Sequence, residues 1–343
     1  MGKSDVSCLA LIIVALGLSG SAVTAQTPAE FYKARTVFVQ IGSGSGGIYD
    51  IVGRLFTRHM GAFIPGNPKL VAQNVPGGGS LTLANQFSAI SPRDGSVFGV
   101  FNNGMPLTPL LNPSATHFDP RRFNFLGSPS RESHVLVAWH TGPVKSFDDL
   151  FTKELIVGAT STGAAPYDFP LLTNTLIGTK FKIVTGYQSG TETKLAMERG
   201  EIQANAGLAW SSVKTDYASQ IAENKVVILA AFGFKQHDEL RHVPLLPTGN
   251  TEEERQLFHL MYARQAYGRP FATPPGVPND RVAALRQGFE ATLKNDRFLA
   301  EAKKLNVEID PVSADELNKL TADLYATPTQ VVKRMQKLLE AAK

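Results

Sequence analysis

The stretch Thr36-Val37-Phe38-Val39-Gln40-Ile41-Gly42-Ser43-Gly44-Ser45-Gly46-Gly47-Ile48-Tyr49-Asp50-Ile51-Val52-Gly53-Arg54-Leu55 decides the fold. Its first six positions, rich in β-branched and aromatic residues, predict a strand. A run of glycine and serine follows, and then Ile48, Ile51, Val52 and Leu55 recur at helical spacing. A strand, a glycine turn and a helix open an α/β unit. The pattern repeats at 69–73 (strand), 74–80 (glycine turn) and 81–90 (helix), and a third strand at 96–101 ends in Asn102-Asn103-Gly104. Beyond a proline-rich stretch reaching Pro129, strands are expected at 134–139, 155–159, 182–185 and 226–232, with helices at 168–176 and 191–199. This reads as a second α/β lobe. Proline-rich connections at 243–247 and 273–278 return the chain to the first lobe, which helices at 280–295, 297–305, 314–325 and 328–342 complete. The expectation is an α/β protein of two lobes with a mostly parallel sheet in each: lobe one from 26–128 and 233–343, lobe two from 129–232.

A chain of 343 residues exceeds the size at which one hydrophobic core stops growing, which agrees with two lobes. Hydrophobic residues at 43% and charged residues at 19% exclude wholesale disorder and a polytopic membrane protein. The net charge of +4 is spread without a basic block, so no nucleic-acid partner is indicated. At the N-terminus, Lys3, the apolar run Cys8 to Leu18 and Val23-Thr24-Ala25 read as a signal peptide over 1–25, cleaved after Ala25. The run is too short to span a bilayer. Cleavage would remove Cys8, the sole cysteine, leaving an exported chain with no thiol chemistry and no disulfides.

Gly42, Gly44 and Gly47 satisfy G-x-G-x-x-G, but 51–93 holds no Asp or Glu to grip a ribose, so a dinucleotide cofactor is not implied. The surviving physics is general. Glycines let backbone N–H groups converge, and the following helix adds the positive end of its dipole. Such a corner binds anions, and apart from Arg54 no basic side chain is near in sequence. A second corner, Thr160-Ser161-Thr162-Gly163, follows a strand of the other lobe and adds three hydroxyls. Two facing corners suit a ligand with two acceptor ends, a dicarboxylate or a hydroxylated or aromatic carboxylate. The candidate contacts are Ser43, Gly44, Ser45, Gly46, Gly47, Tyr49 and Asp50 on one side and Thr160, Ser161, Thr162 and Gly163 on the other. Asn103, Gly104, Gln188, Gly207 and Trp210 are candidate lining. Asp50 equally suits the dipole of its helix, and Trp210 equally suits the core. An A-x-S-x-G segment at 159–163, with His237, His242 and His259 downstream, leaves a serine hydrolase using Ser161 as the alternative. The seven histidines show no zinc-ligand spacing, so neither a metal nor a catalytic residue is assigned.

Taken together, the segments 45–54, 74–80, 91–95, 158–165, 187–190, 200–202 and 244–248 resemble those of the Bug family, the periplasmic solute-binding proteins of tripartite tricarboxylate transporters. The resemblance spans about Phe31 to Leu317. It implies a clamshell of the Venus-flytrap type that closes on a carboxylated ligand without transforming it. It also implies a periplasmic monomer without cofactor that serves membrane transporter components or, in some relatives, a sensor kinase. Ser45 stands where the family has Pro, Ser80 where it has Gly and Gln203 where it has Asp, so the identity of the carboxylate does not carry over.

Overall fold

The computed structural model describes residues 26–160 and 162–340; the expected signal peptide and Ser161 lie outside the described residues. In chain order the strands are β1 (Thr36–Ile41), β2 (Lys69–Asn74), β3 (Val97–Val100), β4 (Asn124–Ser128), β5 (His134–Trp139), β6 (Leu155–Gly158), β7 (Phe181–Val184), β8 (Ala204–Ala209), β9 (Val226–Phe232), β10 (Phe271–Thr273) and β11 (Val312–Ser313). They form two sheets, in the orders β11-β4-β10-β3-β1-β2 and β7-β6-β8-β5-β9. Helices pack on them, giving the expected two-lobed α/β architecture.

The sheets are mixed, and the mostly parallel reading holds only for part of each. β1 pairs parallel with β2 and β3, and β6 with β7 and β8. β10 is antiparallel to β3 and β4, and β5 is antiparallel to β8 and β9. The reason is where the chain crosses. β4 runs in the same direction as β3, so Ser128 leaves the first sheet at the end carrying the loops after β1 and β3, and His134 enters the second sheet at that same end. β5 is therefore reversed relative to its neighbours, and β10, first after the return crossing, is reversed for the same reason.

Alternation sets the register of β1: Val37, Val39 and Ile41 are buried against the helix Ile48–His59, whose Val52, Leu55 and Phe56 face them. Gly53 lets that helix approach, since a Cβ there would lie 2.7 Å from the Ile41 side chain. Phe56 stacks on Phe289 at 4.7 Å and meets Phe271 and Phe298 at 4.7 and 4.9 Å, closing the core on this face of the first sheet. A second apolar cluster is continuous between the lobes, from Phe87 and Phe101 through Phe169 and Phe232 to Phe258 and Tyr262. The helix Glu252–Tyr262 contacts both Ala165–Ile177 and Thr329–Glu340.

The two crossings are tied together. The Arg269 amide donates to Ser128 Oγ at 2.8 Å, and the buried Arg269 guanidinium pairs with Glu132 while donating to Ser130 Oγ and Ser211 Oγ, both at 2.8 Å. Gly268 has φ +58°, and a Cβ there would fall 1.6 Å from the Ser130 carbonyl oxygen. Gly268→Ala should therefore destabilise the protein by about 2 kcal/mol or more in urea unfolding. Gly44→Ala, where a Cβ meets nothing within 4 Å, should shift the midpoint little. Equal midpoints for the two variants would contradict this account of the crossing.

Candidate ligand-binding site

The first glycine corner is held by a carboxylate. Asp50, in the first turn of its helix, accepts from the Gly46 amide at 2.9 Å, from Arg54 Nε at 2.8 Å and from Asn74 Nδ2 at 2.8 Å. Arg54 Nη2 donates to Asn74 Oδ1 at 2.7 Å, and Asn74 Nδ2 also reaches the Ser43 carbonyl at 3.0 Å. Burial opposes ionisation of Asp50, but the Arg54, Gly46 and Asn74 hydrogen bonds outweigh it and hold the carboxyl below its ordinary range. Asp50 thus shapes the loop from behind. Among the described residues, no hydrogen bond occupies the N–H groups of Ser43, Gly44, Ser45 or Gly47. Ser80 sits in the left-handed region at φ +76°, as a position that takes Gly in the resembled family would. Its hydroxyl donates to the Gly42 carbonyl at 2.9 Å and accepts from the Asn102 amide at 2.8 Å, stitching this corner to the turn after β3.

The second corner repeats the device. Asp168, in the first turn of Ala165–Ile177, accepts from the Gly163 amide at 3.0 Å and from Arg264 Nη2 at 2.7 Å. The pair is buried, Asp168 at 0% and Arg264 at 1% exposure. Burial pushes the Asp168 carboxyl up, against the pull of Arg264 and the Gly163 amide. Arg264 Nη1 also donates to the Gly163 carbonyl at 3.2 Å. Thr160 is half-buried and Thr162 and Gly163 are exposed on this loop.

The corners meet. A Cβ on Gly104 would lie 3.3 Å from the Gly163 carbonyl oxygen and 3.5 Å from Arg264 Nη1, so the turn after β3 abuts the loop after β6. On the first-lobe side, Tyr49 OH accepts from the Asn103 amide at 3.1 Å. Burial pushes the Tyr49 hydroxyl up to about 12, with Arg269 pulling the other way, so it stays protonated and can donate to a further acceptor. Below lies His134, its Nε2 3.5 Å from Asn103 Nδ2 and its ring edge-on to Phe169 at 5.2 Å. With Nε2 accepting, Nδ1 carries the proton, and that buried atom has no hydrogen-bond partner.

The remaining candidates lie differently. Gln188 is exposed and turned on its own loop, Nε2 donating to the Gly186 carbonyl at 3.2 Å. Gly207 is required by packing: at φ +68°, a Cβ would meet the Ala165 carbonyl at 2.6 Å. Trp210 donates from Nε1 to Glu239 at 2.6 Å and borders a different cavity of about 790 Å³, shared with Phe234, His237, His259 and Glu308. Sequence reading passed over Arg264, Arg269 and His134. Two arginines within seven residues, beside Gly268, were the available signal; their partners are too distant in sequence to be seen.

A protein built of two α/β lobes, with loops of both meeting at the crossings, has the architecture of a two-lobed binding protein. No family model matches the sequence, and no curated protein sequence matches it. Solved structures do. A TctC solute binding protein from Polaromonas superposes at a TM-score of 0.60 with 15% identity, over 88% of this chain and 99% of that one. MatC from Rhodopseudomonas palustris with bound malate gives 0.65 and 18%, over 89% and 99%. The periplasmic binding protein BugD gives 0.67 and 17%, over 91% and 98%. The resemblance drawn from the glycine segments is thus borne out in the fold, which is that of the TctC and Bug solute-binding proteins.

Burial holds the His134 imidazole down to about 3, and Arg264 and Arg269 act in the same direction. An unfolded histidine titrates near 6.5, so between about pH 6.5 and 3 the unfolded chain binds a proton that the folded one refuses. Stability from this residue is full above that window and falls by up to tenfold in the folding constant per unit of acidification within it. His134→Gln should flatten the fall, read as the difference between wild-type and variant urea midpoints at pH 7, 5.5 and 4.5. A constant difference across the three would contradict a buried neutral imidazole.

Proposed function

We propose that this chain is an exported solute-binding protein that captures a small carboxylate between its lobes for a tripartite tricarboxylate-type membrane transporter. The observation that carries the proposal is the repeated device at the two corners: a carboxylate in the first turn of a helix fixes one glycine amide, leaving neighbouring N–H groups and hydroxyls to face a ligand. Donors on opposite lobes suit an anion with two ends, and malate in the MatC structure is such an anion. Ser43 to Gly47, Tyr49, Asn103 and Gly104 would receive one end, and Thr160, Ser161, Thr162 and Gly163 the other. The lobes would divide as 26–128 with 233–343 and 129–232, opening about the crossings at 129–133 and 233–270.

The reading places the mature chain in the periplasm as a monomer, with the leader removed after Ala25. No helix among the described residues is long and apolar enough to cross a membrane. The prospective bases of a hydrolase using Ser161 have surroundings of their own. His237 pairs with Glu308 and His259 stacks on Phe234, both at the cavity of Trp210, and His242 is exposed.

A panel of dicarboxylates including malate, screened by thermal unfolding, tests the proposal. A ligand at 100 times its dissociation constant should stabilise the protein by about 2.7 kcal/mol. Thr162→Val should reduce that gain while leaving the unliganded midpoint unchanged. Flat melting curves across the panel would overturn the assignment.

A further inference from the structure

A second cluster of donors lies on the first lobe, away from both corners. The start of β4, the turn Pro120–Arg122 and the helices Asn279–Leu293 and Ala314–Tyr325 enclose a cavity of about 420 Å³. Its polar lining is Arg121, Arg122, Asn124, Arg286, Asn318 and Thr321, with no carboxylate. The Thr321 hydroxyl donates to the Leu317 carbonyl and both Nδ2 hydrogens of Asn124 are committed, so the donors left to the cavity are the guanidinium groups and Asn318.

Two of the arginines are fixed in place. Arg286 donates from Nε to the Phe125 carbonyl at 2.8 Å, which sets the plane of its guanidinium and commits none of its four Nη hydrogens. Arg121 is gripped by Asp119 through Nε and Nη2, at 2.9 and 2.8 Å, and lies 4.7 Å over the Tyr325 ring. Asn124 is anchored as well, its Nδ2 donating to Thr273 Oγ1 at 3.1 Å and to the Pro274 carbonyl at 3.0 Å. The third arginine, Arg122, makes no side-chain hydrogen bond or ion pair among the described residues and meets Asp119 only through its charge. Asp119 therefore balances one guanidinium of three, and two positive charges are left converging on one cavity.

Like charges brought together repel unless a counter-charge joins them, and a guanidinium held in a fixed plane loses little freedom on binding an oxyanion through paired N–H groups. We propose that this cavity is a second anion site, taking a small doubly charged oxyanion of the phosphate or sulfate kind, between Arg122 and Arg286. It is independent of the carboxylate reading of the lobes. A free phosphate and the phosphate of a lipid headgroup share this chemistry, and the experiment separates them.

Inorganic phosphate is titrated into the whole protein by calorimetry at low ionic strength, beside wild-type protein mixed with phosphatidylcholine vesicles with and without phosphatidic acid. Saturable binding of one phosphate is expected, weakened at least tenfold in Arg122→Ala and in Arg286→Met. Vesicle association that requires phosphatidic acid, is lost in the same variants and is competed by phosphate would assign the site to a headgroup; its absence alongside phosphate binding would assign it to the free ion. Arg122 is exposed and unpaired, so its variant carries the test if Arg286→Met does not fold. Binding of neither probe, or binding undiminished in Arg122→Ala, would overturn the proposal.

Discussion

A helix carboxylate bonded back to a glycine amide governs the arrangement of the two corners. Gly46 and Gly163 stand in loops that no regular ladder holds, where backbone conformations are many and the cost of fixing them is about 1–2 kcal/mol per residue. Asp50 and Asp168 remove that freedom from within the following helix, at a position where the helix dipole also favours a negative charge. Each carboxylate then needs a cation. The first finds Arg54 one turn along, half-exposed, and the second finds Arg264, nearly one hundred residues on and fully buried. The difference matters mechanically: the first clamp is complete within one strand–turn–helix unit, whereas the second makes the Gly163 loop depend on the distant segment that leads back to the first sheet. Removing one member of such a buried pair strands the other charge, which is far more costly than losing an exposed pair.

The crossings carry the same logic further. Arg269, Glu132, Ser130 and Ser211 form a buried polar knot where the two connections run side by side, and His134 sits at its edge as a neutral ring. A knot of this kind fixes where the two connections run, beside the apolar cluster that is continuous between the lobes. The reversed strands β5 and β10 follow from the same fact, because a chain that crosses at the loop-bearing ends must enter each sheet backwards. The glycine corners and the crossings are therefore neighbours by topology, and under the proposed function a ligand bridging the corners would act close to the crossings.

Much of this was legible in the residues. β1, β5, β9 and the helix Ala314–Tyr325 fall where hydrophobic spacing places them, because each has enough β-branched or periodic apolar residues to declare itself. β8 did not: Ala204-Asn205-Ala206-Gly207-Leu208-Ala209 has no β-branched residue, and it is a strand because β5 and β6 flank it. β10 and β11 are only three and two residues long and exist through pairing with strands far away in the chain. At the site, the glycine corners were visible as composition, but Asp50 gave no sign of binding Gly46, and Arg264 none of reaching Asp168. Those roles are set by three-dimensional approach. Trp210 shows the converse, an aromatic beside a small-residue strand that turns out to line the cavity next to Glu239.

The claim on which the functional account rests is that both corners hold one anion. A crystal structure of the protein grown with a tight-binding dicarboxylate tests it most directly. The account predicts one carboxylate end within hydrogen-bonding distance of the unoccupied amides among Ser43, Gly44, Ser45 and Gly47, and the other end against Thr160–Gly163. Density instead in the cavity bordered by Trp210 and His259, or a ligand touching a single lobe, would contradict it.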